Sequence, residues 1–225
     1  MTSTPPRTRA VHLGRRPPAL VALLVWVLLP WVLAAAPPQT EAPGGTSPSH
    51  PPKGPFGLEA GAGREQVEEV LGALSPLRPS IYMTSNVPEE LPGIETLTLV
   101  VTQNQGLCRV QATSDAFTSD AAGVDVRKRF EALRARLEER YGEHRVVDTS
   151  AGGDDKSFAA QLFDRDRVLL AVWTEGSGST LAFNLESITL AARGLDTGQA
   201  FLSVDYVYTI WSYCQPALED AEEHP

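Results

Sequence analysis

The clearest pattern along the chain is an apolar stripe at helical spacing within the segment VRKRFEALRARLEERYG. The stripe repeats every three or four positions and consists of Val126, Phe130, Leu133, Leu137 and Tyr141. This period predicts an amphipathic helix over residues 126–141, ended by Gly142. Its other face alternates arginine and glutamate, which indicates a solvated surface, with a partner surface as the alternative.

A shorter segment, GREQVEEVLGAL, has the same period. Val67, Val70 and Leu71 lie on one side and glutamates on the other, so we predict a first helix that stops at Gly72. The proline-containing segments SPLRPS and NVPEELPG then interrupt the chain.

Alternating apolar and polar positions predict strands in the rest of the chain. IETLTLVVT and GLCRVQAT flank the turn QNQG and predict a hairpin in which Cys108 shares the inward face with Val110. SFAAQLF and RVLLAVWTE predict a second hairpin around DRDR. STLAFNLESITLAAR changes phase near Glu186–Ser187, which predicts a bulge. AFLSVDYVYTIWSYC predicts a last strand with Trp211 and Tyr213 on its outer face.

The predicted order is helix, two strands, helix, four strands. It favours an α+β fold, a two-layer sandwich in which two main helices cover one face of an antiparallel sheet. This domain spans residues 56–217. The acidic residues 218–225 are expected to form a tail without fixed structure.

The N-terminal residues 1–36 have the layout of a signal peptide. Four arginines precede the apolar run 19–36, and the run ends in small residues. An uncleaved inner-membrane anchor is the alternative, because the run is at the short end for a spanning helix. Residues 37–55 are rich in Pro, Gly and Ser and are expected to form a disordered spacer. Either reading predicts a periplasmic or secreted protein.

The net charge of the chain disfavours some classes of binding partner. The chain has 19 basic and 28 acidic residues, and its leader holds four of the basic ones. The exported part is therefore strongly acidic, which disfavours nucleic acid and anionic lipid surfaces as partners. Membrane contact is expected only through an uncleaved N-terminal segment.

Two cysteines, Cys108 and Cys214, are present in the chain. Outside the cytoplasm such a pair usually forms a disulfide, so we predict a bridge between the two. A catalytic thiol would need a base, and the folded part offers only His144. No HExxH, GxSxG or phosphate-loop motif occurs in the sequence. No catalytic, cofactor or metal residue is predicted, although an enzyme of unrecognised type stays as a lesser alternative.

The segment GLEAGAGREQVEEVLGAL resembles the opening of the BamE (SmpA/OmlA) family of small periplasmic proteins. The matching residues are Gly61, Gln66, Val67, Leu71 and Gly72. Ala62 and Gly63 stand where that family usually has Met and Ser or Thr, and no lipid-bearing cysteine is present. The resemblance implies helices packed on an antiparallel sheet and a role in protein–protein contact in the envelope.

The element order also suggests two helix-plus-strands units, residues 56–115 and 120–216, similar to the tandem architecture of the β-lactamase-inhibitor protein. We therefore expect a non-enzymatic scaffold, assembly factor or inhibitor that binds another envelope protein. Trp211 and Tyr213 are its candidate interaction surface, since aromatic residues are favoured anchors. A periplasmic module that binds a small or cell-wall ligand is the alternative.

Overall fold

The computed structural model describes residues 54–151, 155–181 and 184–223. The apolar run 19–36 and most of the spacer lie outside these residues, as does the signal-peptide prediction. In the described part of the chain, no helix is both long and apolar enough to cross a membrane. The last spacer residues, Gly54 and Pro55, are buried, and Pro55–Gly57 form a 3-10 turn. The spacer prediction was therefore wrong at its end.

Nine strands and four α-helices are found in the described residues. The helices are α1 (Arg64–Leu71), α2 (Val124–Tyr141), α3 (Phe158–Phe163) and α4 (Trp211–Glu223). The strands are β1 (Ser75–Arg78), β2 (Ile81–Thr84), β3 (Ile94–Thr102), β4 (Gly106–Ser114), β5 (Phe117–Thr118), β6 (Arg145–Ser150), β7 (Arg167–Thr174), β8 (Leu185–Gly194) and β9 (Gln199–Tyr208). The fold is α+β, as the sequence predicted.

All strands belong to one antiparallel sheet with the order β1-β2-β3-β4-β9-β8-β7-β6, and the short β5 pairs with β9. The order contains two meanders, β1 to β4 and β6 to β9, whose last strands meet in the middle of the sheet. A helix precedes each meander, α1 the first and α2 the second.

Helices α1, α2 and α3 share one apolar core with the sheet. The stripe predicted on α2 is confirmed, because none of its five residues is more than 4% exposed. On the sheet side this core includes Leu99, Val110, Trp173 and Tyr206, all fully buried. Burial of this stripe stabilises α2 more than helix propensity does, since most helical stability in proteins comes from packing of an apolar face.

The residues of the first motif have definite physical roles. The Gln66 side chain accepts a hydrogen bond from the Gly63 backbone N–H at 2.9 Å and so caps α1. Val67 and Leu71 are fully buried. Gly61 and Gly72 have φ values of 76° and 77°, which favour glycine, and Gly72 ends α1 as predicted.

One predicted strand is a helix, and several observed strands were not predicted. The segment SFAAQLF is helix α3, because Ser157 caps it by accepting a hydrogen bond from the Ala160 N–H at 3.2 Å. The strand that precedes β7 in the chain and pairs with it is therefore β6, which was not predicted. Strands β1 and β2 were not predicted either: β1 lies in SPLRPS, which was read as a chain break, and β2 lies between the two proline-containing segments. Helix α4 runs to Glu223, so most of the predicted acidic tail is helical.

Three predicted features of the strands are confirmed. Strands β3 and β4 form the expected hairpin with a turn at residues 103–105. The register of β8 shifts between Leu185 and Ser187, where the change of phase predicted a bulge. In β9, the residues Leu202, Val204, Tyr206 and Tyr208 alternate into the core.

A charged network fixes β6 to α2 and β7. The Asp148 carboxylate accepts hydrogen bonds from Arg127 of α2 at 2.5 Å and from Arg167 of β7 at 2.8 Å. Both guanidinium groups also lie over the ring of Phe158, at 4.9 and 4.6 Å from its centroid. Burial alone would raise the pKa of Asp148, but the hydrogen bonds from the two arginines outweigh it and lower the pKa.

Replacing this carboxylate tests the network. Asp148→Asn should lower the free energy of unfolding at pH 7 by about 1–3 kcal/mol, because hydrogen bonds to charged groups are lost. A lowered pKa stabilises the fold above the unfolded value of about 3.9 and loses this effect as the pH falls further. The difference between the two proteins should therefore shrink below about pH 4. Urea unfolding from pH 7 to pH 3 measures it, with Glu95→Gln at an exposed site as the control.

Candidate functional site

Trp211 and Tyr213, the candidate interaction residues, lie on helix α4 and not on the last strand as predicted. Strand β9 ends at Tyr208, and the Ile210 carbonyl then accepts a hydrogen bond from the Tyr213 N–H at 3.0 Å. Ile210, Cys214 and Leu218 are spaced four residues apart, which is the signal for a helix. The prediction instead extended the alternating pattern of β9 past Tyr208 and so missed the start of this helix.

Helix α4 is joined to β4 by a Cys108–Cys214 disulfide, which confirms the predicted pairing. The bridge closes a sequence separation of 106 residues, with 6.5 Å between the two Cα atoms. It lies in a second apolar cluster together with Val100, and the cluster is separate from the main core. Partly buried apolar residues pack around it: Ile81, Ile210, Trp211 and Leu218.

The predicted orientation of Cys108 was wrong. Val100 pairs with Arg109 and Val101 pairs with Leu107, so Cys108 is an extra residue in the β4 ladder. This bulge shifts the alternation by one position. Leu107 consequently joins Val110 in the main core, whereas Cys108 faces α4 on the other side of the sheet.

A cation links α4 to the centre of the sheet. Arg109 of β4 donates two hydrogen bonds to Asp205 of β9, at 2.7 and 2.5 Å. Its guanidinium group lies 5.4 Å from the centroid of the Trp211 ring. The hydrogen bond to Asp205 raises the pKa of Arg109 despite partial burial, so the charge on this group is permanent. Trp211 is therefore held against the sheet by packing and by a cation–π contact.

Tyr213, two residues further along α4, does not pack on the disulfide cluster. Its side chain is 69% exposed, the largest value among the large apolar residues in the described part of the chain. Thus Trp211 covers the disulfide cluster, while Tyr213 alone of the pair presents its ring to solvent.

A groove lies beside the disulfide cluster, between the β1–β2 hairpin and the centre of the sheet. Its lining includes Leu77, Ile81, Val100, Arg109 and Gln111. Leu77 is 55% exposed at the edge. Val100 and Ile81 belong to the cluster around the disulfide, so the groove and α4 lie on the same side of the sheet.

A second cavity lies between α2 and the sheet. Leu137, Tyr141 and Tyr206 line it, and the Arg140–Glu90 ion pair, at 2.8 Å, lies at its edge. The Tyr141 hydroxyl is buried without a hydrogen-bond partner among the described residues. Burial raises the pKa of Tyr141 to about 12. A tyrosine of this pKa remains protonated at neutral pH and is suited to donate a hydrogen bond, not to remove a proton.

The described residues contain no group of three or more His, Cys, Asp or Glu side chains placed to hold a metal ion. His144 stacks on Trp173 with 4.6 Å between ring centroids, and its Nε2 lies 2.9 Å from Arg134. The sulfur of Cys108 is in the disulfide and is therefore not a free thiol that His144 could activate.

Comparisons with family models, with curated proteins and with solved structures found no match to this chain.

The disulfide allows a quantitative test. Because it closes a loop of about 105 residues, replacing both cysteines with serine should lower the free energy of unfolding by about 5 kcal/mol. Urea unfolding of the oxidised protein and of the Cys108→Ser/Cys214→Ser variant measures this difference. Thiol titration of the oxidised protein in denaturant should find no reactive thiol before reduction. Two reactive thiols there would contradict the bridge.

Proposed function

We propose that the chain is an exported, non-enzymatic protein of the cell envelope that binds another protein as a scaffold, assembly factor or inhibitor. Helix α4 and the groove beside it form the contact surface, defined by Tyr213, Leu77, Ile81 and Arg109. The observation that carries this proposal is the exposure of Tyr213 on a helix that is fixed in place.

Fixing the helix that carries an exposed aromatic residue lowers the entropy cost of binding, because the helix is already ordered. Helix α4 is held at Cys214 by the disulfide and at Trp211 by the contact with Arg109. A partner that packs on Tyr213 then has to immobilise one side chain and not a whole segment, which favours tight association. Exposed aromatic residues in such settings are frequent energetic anchors of interfaces.

The fold supports a division into two tandem units in a two-layer sandwich, with α4 added on the outer face of the sheet. Each unit is a helix followed by a four-stranded meander, and the two meanders meet through β4 and β9. The BamE resemblance of the first unit and the similarity to tandem inhibitor architecture remain part of this proposal.

The cavity between α2 and the sheet, lined by Tyr141 and Tyr206, favours one other function, the binding of a small envelope ligand. The Tyr141 hydroxyl has no hydrogen-bond partner among the described residues and can donate a hydrogen bond to such a ligand. An increase in melting temperature with a ligand, lost in Tyr141→Phe, would support this function.

Crosslinking in the producing cells tests the protein-binding proposal. A C-terminally tagged chain should capture one dominant envelope protein, and Tyr213→Ser should abolish the capture because it removes the exposed anchor. Its free energy of unfolding should change by less than about 0.5 kcal/mol, as expected for a surface substitution. Mass spectrometry of the envelope fraction identifies the captured protein.

Two variants control this experiment. Val124→Ser removes another exposed apolar side chain, 62% exposed at the start of α2, and should leave the capture intact. Trp211→Ser should destabilise the fold, since this residue packs on the disulfide cluster. Undiminished capture by Tyr213→Ser would contradict the proposed surface.

A further inference from the structure

The two edges of the sheet differ in how they are protected from further pairing. At one edge, β1 contains Pro76, is followed by Pro79, and has a register shift between Pro76 and Arg78. Proline and irregular register are common means of blocking strand addition. At the other edge, β6 pairs with β7 in uninterrupted register over six residues and contains no proline. All of its residues except Val147 are exposed.

The backbone groups that point outward from β6 can be assigned. Beyond the end of β6, the Ala151 N–H donates a hydrogen bond to the Asp166 carbonyl at 2.7 Å, in the same register as the ladder. Hydrogen-bonded and non-hydrogen-bonded pairs alternate in an antiparallel ladder. Val147 and Thr149 therefore bond to β7, whereas Val146, Asp148 and Ser150 direct their N–H and C=O groups away from the sheet.

The side chains along this edge specify the chemistry of an added strand. Arg145 and Val147 pair with Val172 and Leu170, which face away from the main core. Arg145 is exposed, and its guanidinium group has no ion pair or hydrogen bond within the described residues. An antiparallel strand beside β6 would place one residue opposite Arg145 and another opposite Val147 on this face. An acidic and an apolar residue complement these positions.

We propose that β6 is a docking edge for an extended peptide segment of a partner protein, added antiparallel, with an acidic residue opposite Arg145 and an apolar residue opposite Val147. Main-chain hydrogen bonds to Val146, Asp148 and Ser150 hold the segment, and alternate side chains select it. The Asp148 network keeps this edge in place, because Arg127 and Arg167 bind its carboxylate from α2 and β7.

A second copy of the chain fits this edge less well. A standard protein–protein interface takes about 20–30 residues from each side, and β6 supplies one short strand. The inference rests on the proposed protein-binding function and adds a surface to it. Its test does not involve Tyr213, so the experiments can contradict the β6 proposal or the Tyr213 proposal independently of each other.

The test uses the purified, isotopically labelled protein and the peptide acetyl-Thr-Val-Thr-Ile-Thr-Glu-amide, whose Glu would lie opposite Arg145. In NMR titrations, amide shifts should concentrate at Val146, Asp148 and Ser150. Val146→Pro should abolish them, because proline removes an outward N–H without breaking a bond to β7. Val146→Thr retains the N–H and should bind as the unchanged protein does.

Changes in the peptide provide matched controls. Methylation of the peptide nitrogen opposite Val146 should abolish binding, and methylation opposite Val147, where the N–H points away, should not. The comparison of these two methylated peptides tests the proposed strand pairing even if Val146→Pro fails to fold. Exchanging Glu for Lys should weaken binding about two- to fivefold, the range for a cross-strand charge pair.

Two results would overturn the inference. One is a set of shifts away from β6 or equal binding by both methylated peptides. The other is a dimer in analytical ultracentrifugation without peptide that Val146→Pro dissociates, which would assign the edge to a second copy.

Discussion

The pairing of β4 with β9 is the constraint on which the rest of the structure depends. It joins the two meanders in the middle of the sheet and sets which residues face each side. Val110 opposes Tyr206 in the main core, and Ala112 opposes Val204 beside them. On the other face Arg109 reaches Asp205 across the same two strands. A register slip of one residue here would exchange the two faces and expose the core.

The outer face derives its organisation from one irregularity in β4. The bulge at Cys108 turns the thiol out of the main core, so that the disulfide can hold α4 on the opposite side of the sheet. Trp211 then covers the bridge, while Tyr213 stays exposed. The candidate surface is therefore a consequence of a single extra residue in a strand, because that residue decides which face receives the last helix.

The sheet also shows how an antiparallel fold distributes its open backbone groups. The central strands satisfy each other, and the proline-containing β1 closes one end. Only the regular β6 edge offers an uninterrupted row of donors and acceptors among the described strands. Arg127 of α2 and Arg167 of β7 bind the Asp148 carboxylate of this edge strand.

The sequence by itself determined the features that a regular apolar period, or a change in that period, marks. They are α1, α2, the β3–β4 hairpin, the bulge in β8 and the inward face of β9. The disulfide pairing was predicted because the chain has two cysteines and an expected export signal. Only the tertiary structure decided that Phe158–Phe163 is a helix, since a short apolar run fits a helix and a strand equally well. It also decided that β6 is a strand, because an exposed edge strand shows no apolar alternation. The positions of Cys108 and Tyr213 depended on a bulge and a helix start, which are set by pairing and packing across the sheet.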